Sequence, residues 1–156
     1  MAFLTWLEAT SFGDWARSSL LGYPLLIGAH AIGMSIMVGL ALALDMRVLG
    51  LFKDIPYTAL NRFLGIAWAG FAINFLSGTG LFAMQATTYI TDGTFLLKMA
   101  LVFAGVITAG LLQSAANRSS ASWSSSAAPG AIRVVAVVSV VCWVGATVTG
   151  RLIAYL

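Results

Sequence analysis

Four polar side chains lie within otherwise apolar segments of the chain: His30, Asn74, Lys98 and Arg151. Each needs a partner or a function, because a polar or charged group in the hydrocarbon core of a membrane carries a large free-energy cost. Neutral imidazole is the commonest metal ligand in proteins, so His30 can either ligate a metal or hydrogen-bond across helices. Lys98 and Arg151 can pair with an anionic group or extend to the membrane surface. Asn74 is typical of an interhelical hydrogen bond.

Two methionines follow His30 in the same segment. Met34 and Met37 stand four and seven residues after it, which places all three on one face of a helix. Thioether and imidazole groups suit Cu(I), so these residues form a candidate copper site. The same spacing is also typical of methionines that only fill the space between helices.

The elements that must position these residues are membrane-spanning helices. The chain has 156 residues, of which 60% are hydrophobic and 8% are charged, whereas a soluble domain carries about a quarter charged residues. Four apolar stretches are long enough to cross a bilayer, at about residues 23–44, 63–84, 94–112 and 132–155. The sequence therefore predicts one all-α membrane domain over residues 1–156, a bundle of four transmembrane helices.

The segments outside the four stretches differ in composition. Residues 1–20 are rich in aromatic residues and have no basic region ahead of an apolar core, so they predict an interfacial helix and not a cleavable signal peptide. Residues 114–130 are dominated by Ser and Ala and predict a mobile cytoplasmic linker. Cys142 is the single cysteine and lies in the fourth stretch, which excludes a disulfide framework and indicates a packing role.

The basic residues predict the orientation in the membrane. They are concentrated beside the first and third links between spans: Arg47, Lys53, Arg62, Arg118 and Arg133. By the positive-inside rule both links face the cytoplasm and both termini lie outside. Because these residues are divided between two links and do not cluster, they form no basic patch that would bind nucleic acid.

This topology brings three ionisable residues into one leaflet. His30 lies about seven residues inside the first span, or ~10 Å below the outer boundary at about 1.5 Å per residue. Lys98 is about four residues into a span that starts from the same side, or ~6 Å deep. Arg151 has a similar depth near the outer end of the last span. We therefore expect the three side chains to converge on one site.

The acidic residues lie at or beyond the predicted ends of the spans. Asp45 and Arg47 close the first span at the cytoplasmic side and predict a structural anchor, for example a pair between Asp45 and Arg62. A proton relay needs carboxylates within the bilayer. Because none is predicted there, the sequence disfavours a proton-coupled transporter.

Three short motifs resemble a known pattern. Residues 30–33 form H-x-x-G, residues 45–47 form D-x-R and residues 95–98 form F-x-x-K. Over nearly its whole length the chain resembles a group of uncharacterised bacterial four-helix membrane proteins, which implies the bacterial inner membrane. It is more distantly similar to HemJ-type protoporphyrinogen oxidases and CopD-type copper-resistance membrane domains. The HemJ resemblance implies heme b and functional roles for His30 and Lys98.

The first hypothesis is a b-type heme protein that passes electrons near the outer leaflet to a redox partner. His30 would be the axial ligand, and Lys98 would be the second ligand or a propionate partner. Arg151 would be the other propionate partner, and Met84 is a fallback sixth ligand. Because the chain has one histidine, bis-histidine ligation would need His30 of a second copy.

Two alternatives remain open. One is a copper-binding or copper-transporting protein that uses His30, Met34 and Met37. The other is a non-catalytic accessory subunit whose polar residues only hold helices together. Small residues four apart, such as Ala29 with Gly33, let helices approach closely and favour a homo-oligomer or a subunit of a membrane complex.

Overall fold

The computed structural model describes residues 1–52, 54–123, 128–153 and 155, and its regular elements there are all helices. In chain order they are α1 (Ala2–Glu8), α2 (Ser11–Ser18), α3 (Gly22–Val48), α4 (Tyr57–Met84), α5 (Ala86–Tyr89), α6 (Gly93–Trp123) and α7 (Gly130–Leu152). Four stretches are long and apolar enough to cross a membrane: Gly22–Val48, Arg62–Met84, Gly93–Arg118 and Gly130–Leu152. The predicted all-α bundle of four membrane-spanning helices is confirmed.

The bundle consists of two helix pairs. α3 packs mainly on α4, and α6 packs mainly on α7. Contacts between α3 and α7, and fewer between α4 and α6, join the two pairs. Gly33 brings the backbones of α3 and α4 together, because a Cβ built there would lie 2.5 Å from the backbone nitrogen of Asn74. Glycine at this position therefore has a packing role, as small residues commonly have in membrane bundles.

One end of the bundle carries α1 and α2, and we call it the α1–α2 end. The residues predicted to form one interfacial helix form two, because the chain turns at Ala9 and Thr10. Thr10 caps α2 through its hydroxyl, which accepts a hydrogen bond from the backbone nitrogen of Gly13. The Glu8 carboxylate accepts hydrogen bonds from the backbone nitrogen and the hydroxyl of Thr87, at 2.7 and 2.8 Å. These contacts attach α1 to α5.

The opposite end carries the link between α3 and α4, and we call it the link end. α3 continues to Val48, four residues beyond its predicted limit, so Asp45 and Arg47 are part of the helix. Arg47 donates from Nε to the carbonyl of Ile55 at 2.7 Å, and its guanidinium lies 4.1 Å from the centre of the Tyr57 ring. The predicted anchor therefore involves Arg47.

The predicted pair between Asp45 and Arg62 is not formed. Asp45 is 1% exposed, whereas Arg62 lies on an exposed part of α4. The two side chains therefore occupy different surfaces of the bundle. Spacing along the chain predicted only that they would be near the same end.

The predicted mobile linker at residues 114–130 is helical over its first part, because α6 continues to Trp123. Alanine is the best helix former and serine is only mildly unfavourable, so a loss of apolar residues does not by itself end a helix. Residues 124–127 lie outside the described residues. Pro129 then precedes α7 in an extended conformation and serves as its N-cap residue.

Candidate functional site

His30 of α3 and Asn74 of α4 are joined by two hydrogen bonds. His30 Nδ1 lies 2.9 Å from the carbonyl oxygen of Asn74, and Asn74 Nδ2 donates to the carbonyl oxygen of His30 at 2.8 Å. A carbonyl oxygen can only accept, so we assign the ring proton to Nδ1. In the neutral imidazole, Nε2 then keeps its lone pair for another partner. Metal-ligating histidines are typically oriented in this way by a hydrogen bond from the other ring nitrogen.

Glycines on α4 and α3 make room for the His30 imidazole between the two helices. A Cβ built at Gly78 would lie 2.9 Å from His30 Cε1, so any larger residue would displace the ring. Gly33, one turn after His30, allows the close approach of α3 to Asn74. The predicted interhelical hydrogen bond of Asn74 therefore depends on small residues on both helices.

A small cavity lies between the four long helices at the level of His30. Its volume is about 20 Å³, enough for one water-sized occupant, since a single water needs roughly 10–15 Å³. Each long helix contributes to its wall. The lining residues are His30, Met34, Met37, Val38, Phe71, Asn74, Lys98, Val102, Trp143, Ala146 and Thr147.

The cavity brings together five of the residues selected from the sequence, Asn74 among them. His30, Met34 and Met37 lie along one face of α3, as their spacing predicts, and Lys98 reaches the same space from α6. Met37 is 3% exposed. Imidazole and two thioethers thus share one wall of the cavity, and each of these donors is uncharged.

Lys98 lies toward the α1–α2 end of the cavity. A Cβ built at Gly150 would be 3.2 Å from Lys98 Cε and 3.3 Å from its Nζ, so Gly150 leaves room for the end of the lysine side chain. Among the residues that the structure describes, no carboxylate lies within ion-pair distance of Lys98. Met34 and Met37 lie one and two turns from His30 in the opposite direction, toward the link end.

Arg151 and Met84 do not line the cavity. The Arg151 guanidinium donates to the Tyr155 hydroxyl at 2.8 Å and lies on an exposed surface. Met84 is the last residue of α4. The predicted convergence of three ionisable residues is therefore reduced to His30 and Lys98. Depth along a span gives the level of a residue, but one step along a helix rotates its direction by about 100°.

Trp143 of α7 is a lining residue that was not predicted from the sequence. Its side chain is 3% exposed, it lines the cavity, and its indole Nε1–H has no hydrogen-bond partner among the described residues. A signal for it was present, because tryptophan in membrane proteins is typical of the two interfaces and Trp143 lies well inside the fourth apolar stretch. The wall of the cavity therefore includes a buried tryptophan whose indole N–H is unpaired within the described part of the chain.

The cavity does not fit a heme. His30 and Lys98 line the same space of about 20 Å³, which cannot hold a porphyrin between them. The two other residues predicted for heme, Arg151 and Met84, lie elsewhere. Heme b binding stays a prediction from the sequence, and the residues around the cavity favour a smaller ligand.

Asp45 is a second buried polar group, near the link end. It lies within the membrane-spanning stretch Gly22–Val48 and is 1% exposed. A buried carboxyl group in a helix long enough to span the membrane was not expected from the sequence. The first charged residue was interpreted as the end of the span, but the helix continues and buries it against the bundle.

Comparison of the chain with protein-family models, curated proteins and solved structures gave no match. The resemblance of the three motifs to other membrane proteins stays a prediction. A function for this multi-pass membrane protein has to be argued from the geometry of its own residues.

Proposed function

We propose that the protein binds one Cu(I) ion inside the membrane bundle, with His30, Met34 and Met37 as ligands, and that it stores or transfers copper within the membrane. The observation that carries this proposal is the hydrogen bond from His30 Nδ1 to Asn74. It leaves the lone pair of Nε2 available for a ligand, and His30 lines a cavity that Met34 and Met37 also line.

The donor set suits Cu(I) better than other common metals. Cu(I) is a soft, singly charged ion that accepts thioether and imidazole ligands, whereas Mg²⁺, Ca²⁺ and Mn²⁺ favour oxygen ligands. Within the described residues, no cluster of three or more His, Cys, Asp or Glu side chains exists that would hold a metal ion of that kind. The cavity also has the size of a single ion with little room beside it.

Lys98 is compatible with a monovalent cation if the two charges are at opposite ends of the cavity. Its ammonium lies beside Gly150, toward the α1–α2 end. The methionines lie on the other side of His30, toward the link end. Like charges at short distance repel strongly in a poorly solvated interior, so Lys98 would disfavour divalent ions more than Cu(I).

The orientation is part of the proposal. Arg47, Arg62, Arg118 and Arg133 are placed toward the link end of their helices, which we assign to the cytoplasm of a bacterial cell by the positive-inside rule. His30 then lies in the outer half of the cytoplasmic membrane. Copper would reach the site from the outer side or leave toward it.

A Cu(I) competition titration tests the proposal. The protein is purified in mild detergent under anaerobic, reducing conditions and titrated with Cu(I) in the presence of a colorimetric Cu(I) chelator. We expect one ion per chain, no binding in His30→Ala, and affinity at least about tenfold lower in Met34→Leu and Met37→Leu, as for disturbed metal sites generally. Met99→Leu is the matched control, because Met99 is exposed on α6.

Two results would overturn the proposal. Binding that is equal in wild type and His30→Ala would show that copper is held elsewhere. A visible spectrum with a Soret band that disappears in His30→Ala would instead support heme ligation by the same residue. A third candidate role, an accessory subunit without a ligand, predicts neither copper nor colour.

A further inference from the structure

Asp45 of α3 and Ser139 of α7 form a buried polar pair near the link end, away from the copper site. Asp45 is 1% exposed and Ser139 is fully buried. Ser139 lies near the carboxyl group across the interface of α3 and α7, without a hydrogen bond between the two side chains. Neither Asp45 Oδ2 nor Ser139 Oγ has a hydrogen-bond partner among the described residues. We call this the Asp45–Ser139 pair.

Among the residues that the structure describes, no cation forms an ion pair with Asp45. Arg47, two residues further along α3, is bonded to Ile55 and packs on Tyr57. The arginines that the other helices bring toward this end are exposed, and none is in an ion pair with Asp45 within the described part of the chain: Arg62 on α4, Arg118 on α6 and Arg133 on α7. None of the described arginines near this end therefore forms an ion pair with the carboxyl group.

The physical chemistry of the pair favours a neutral carboxylic acid. A buried carboxylate without a counter-charge is so unfavourable that such groups take up a proton instead. Among the described residues, an ionised Asp45 would have one neighbouring hydrogen-bond donor, the Ser139 hydroxyl. A protonated Asp45 can donate its own proton to Ser139 Oγ, and the serine hydroxyl can donate in turn, so that adding one proton satisfies both side chains.

We propose that the Asp45–Ser139 pair is a proton-binding site inside the bundle that exchanges its proton with water at the link end. On binding, a proton from water joins the Asp45 carboxylate and the resulting O–H donates to Ser139 Oγ. On release, the proton returns to water and the carboxylate forms again. Asp45 lies three residues before the end of α3, so the path to the link end is short.

The position of the pair suggests what a proton site would do here. Asp45 stands fifteen residues after His30 on the same helix, about 22 Å away at about 1.5 Å per residue. Residues at intervals of three and four, including Met34, Met37 and Ala41, connect the two along one face of α3. The bundle thus has one polar site in each half, the cavity beside His30 and the Asp45–Ser139 pair. A protein that moves a ligand in exchange for a proton needs one site for each. The proton site itself does not depend on copper.

Infrared spectroscopy of the metal-free protein tests the proposal. The chain has five acidic residues, and the other four, Glu8, Asp14, Asp54 and Asp92, are partly or fully exposed. In a maltoside detergent, which has no carbonyl group, we expect at pH 7 the carbonyl band of a protonated carboxylic acid. The band should shift in D₂O, disappear in Asp45→Asn and persist in Asp92→Asn, which is the matched control.

A second measurement keeps the test valid if Asp45→Asn does not fold. Wild-type protein labelled with ¹³C at the aspartate carboxyl group should show the isotope shift of the same band, and Ser139→Ala should move the band to higher frequency. Absence of the band at pH 7, absence of a D₂O shift, or persistence of the band in Asp45→Asn would each overturn the proposal. Because no copper is present, the result is independent of the copper experiment.

Discussion

The two ring nitrogens of His30 have different roles in this structure. Nδ1 donates to the Asn74 carbonyl and is fixed in place, which leaves the Nε2 lone pair for a ligand. His30 lines a cavity that Met34, Met37 and Lys98 also line. The imidazole is thus held as a neutral acceptor next to one cationic group. The balance between these two neighbours, thioethers on one side and an ammonium on the other, should determine how tightly a cation binds.

Replacing Lys98 by methionine should strengthen Cu(I) binding. The change removes a like charge from the cavity and keeps a flexible apolar side chain beside Gly150, so we expect the affinity to rise roughly threefold to tenfold. The same chelator competition measures it. Arg151→Met is the control and should leave the affinity unchanged, because Arg151 bonds to Tyr155 outside the cavity. A weaker affinity in Lys98→Met would instead identify Lys98 as a ligand.

Residue types identified part of the site. His30, Met34, Met37 and Lys98 were found because polar or sulfur-containing side chains are conspicuous in an apolar sequence and helical spacing gives their common face. The direction of Arg151 and the inward position of Trp143 were not found. Both depend on how α7 is rotated against α3 and α6, and that rotation follows from packing contacts between helices that a single sequence does not specify.

Helix α3 carries the buried polar groups of both sites. Its buried residues include Gly33, Met37, Ala41 and Asp45, which recur at intervals of four, and Leu44 beside them, so that they form one face. Close packing of this face on α4 depends on Gly33. The contact between these two helices therefore controls the orientation of His30.

A methyl group at Gly33 should disturb the site, whereas one at Gly39 should not. Gly33→Ala places a Cβ 2.5 Å from the Asn74 nitrogen and 2.6 Å from the Gly70 oxygen, so α3 and α4 must separate. We expect a loss of about 1–3 kcal/mol in the free energy of unfolding and weaker Cu(I) binding. Gly39→Ala on the same helix meets nothing within 4 Å and should stay within about 0.5 kcal/mol of wild type. Reversible unfolding in mixed micelles measures both, and equal effects would contradict the assignment.

The attachment of α1 to α5 should weaken in acid. Hydrogen bonds from the backbone nitrogen and the hydroxyl of Thr87 lower the pKa of Glu8 from its ordinary value of 4.5. A carboxyl group with a lowered pKa stabilises the folded state fully above its ordinary pKa and loses that contribution as the pH falls through the lower, folded value. Attachment should therefore be constant from pH 7 to about 4.5 and decrease below it.

Hydrogen exchange of the amides in α1 measures this attachment. Protection should fall on acidification in wild type, after correction for the intrinsic pH dependence of exchange. In Glu8→Gln it should be low and independent of pH. Asp14→Asn is the control, because Asp14 pairs with Arg17 on the exposed side of α2 and should retain the wild-type profile. Unchanged protection in Glu8→Gln would mean that other contacts hold α1.

The sequence predicted the elements better than their ends. All four spans exist because long apolar stretches have no other stable arrangement than helices in a membrane. The ends were placed where apolar residues stop, at Leu44 and Leu112, but a helix ends where its backbone hydrogen bonding ends. α3 stops only before Gly50, whose φ of 101° is typical of glycine at a turn. The burial of Asp45 followed from this difference and was missed.

In the whole molecule, the interface between α3 and α7 is the larger of the two that connect the helix pairs; at the other, Trp68 of α4 donates to Gln113 of α6 at 2.8 Å. The copper cavity and the Asp45–Ser139 pair both include residues from this interface, one in each half of the bundle. Helix pairs that meet mainly along one interface can change their relative position while each pair stays intact. The two sites are therefore located where such a movement would alter both.

Copper should stabilise the whole bundle, because all four long helices enclose the cavity and an unfolded chain has no such site. A ligand that binds only the folded state at 100 times its Kd adds about 2.7 kcal/mol to the free energy of unfolding. We expect a rise in unfolding temperature on addition of Cu(I) in wild type and none in His30→Ala.

Asp45→Asn should keep most of the rise, because Asp45 is about 22 Å from His30. The converse also follows: the infrared band of protonated Asp45 should persist in His30→Ala. If Asp45→Asn shows no rise in unfolding temperature with Cu(I), although circular dichroism shows that it is folded, the two sites would have to act as one functional unit.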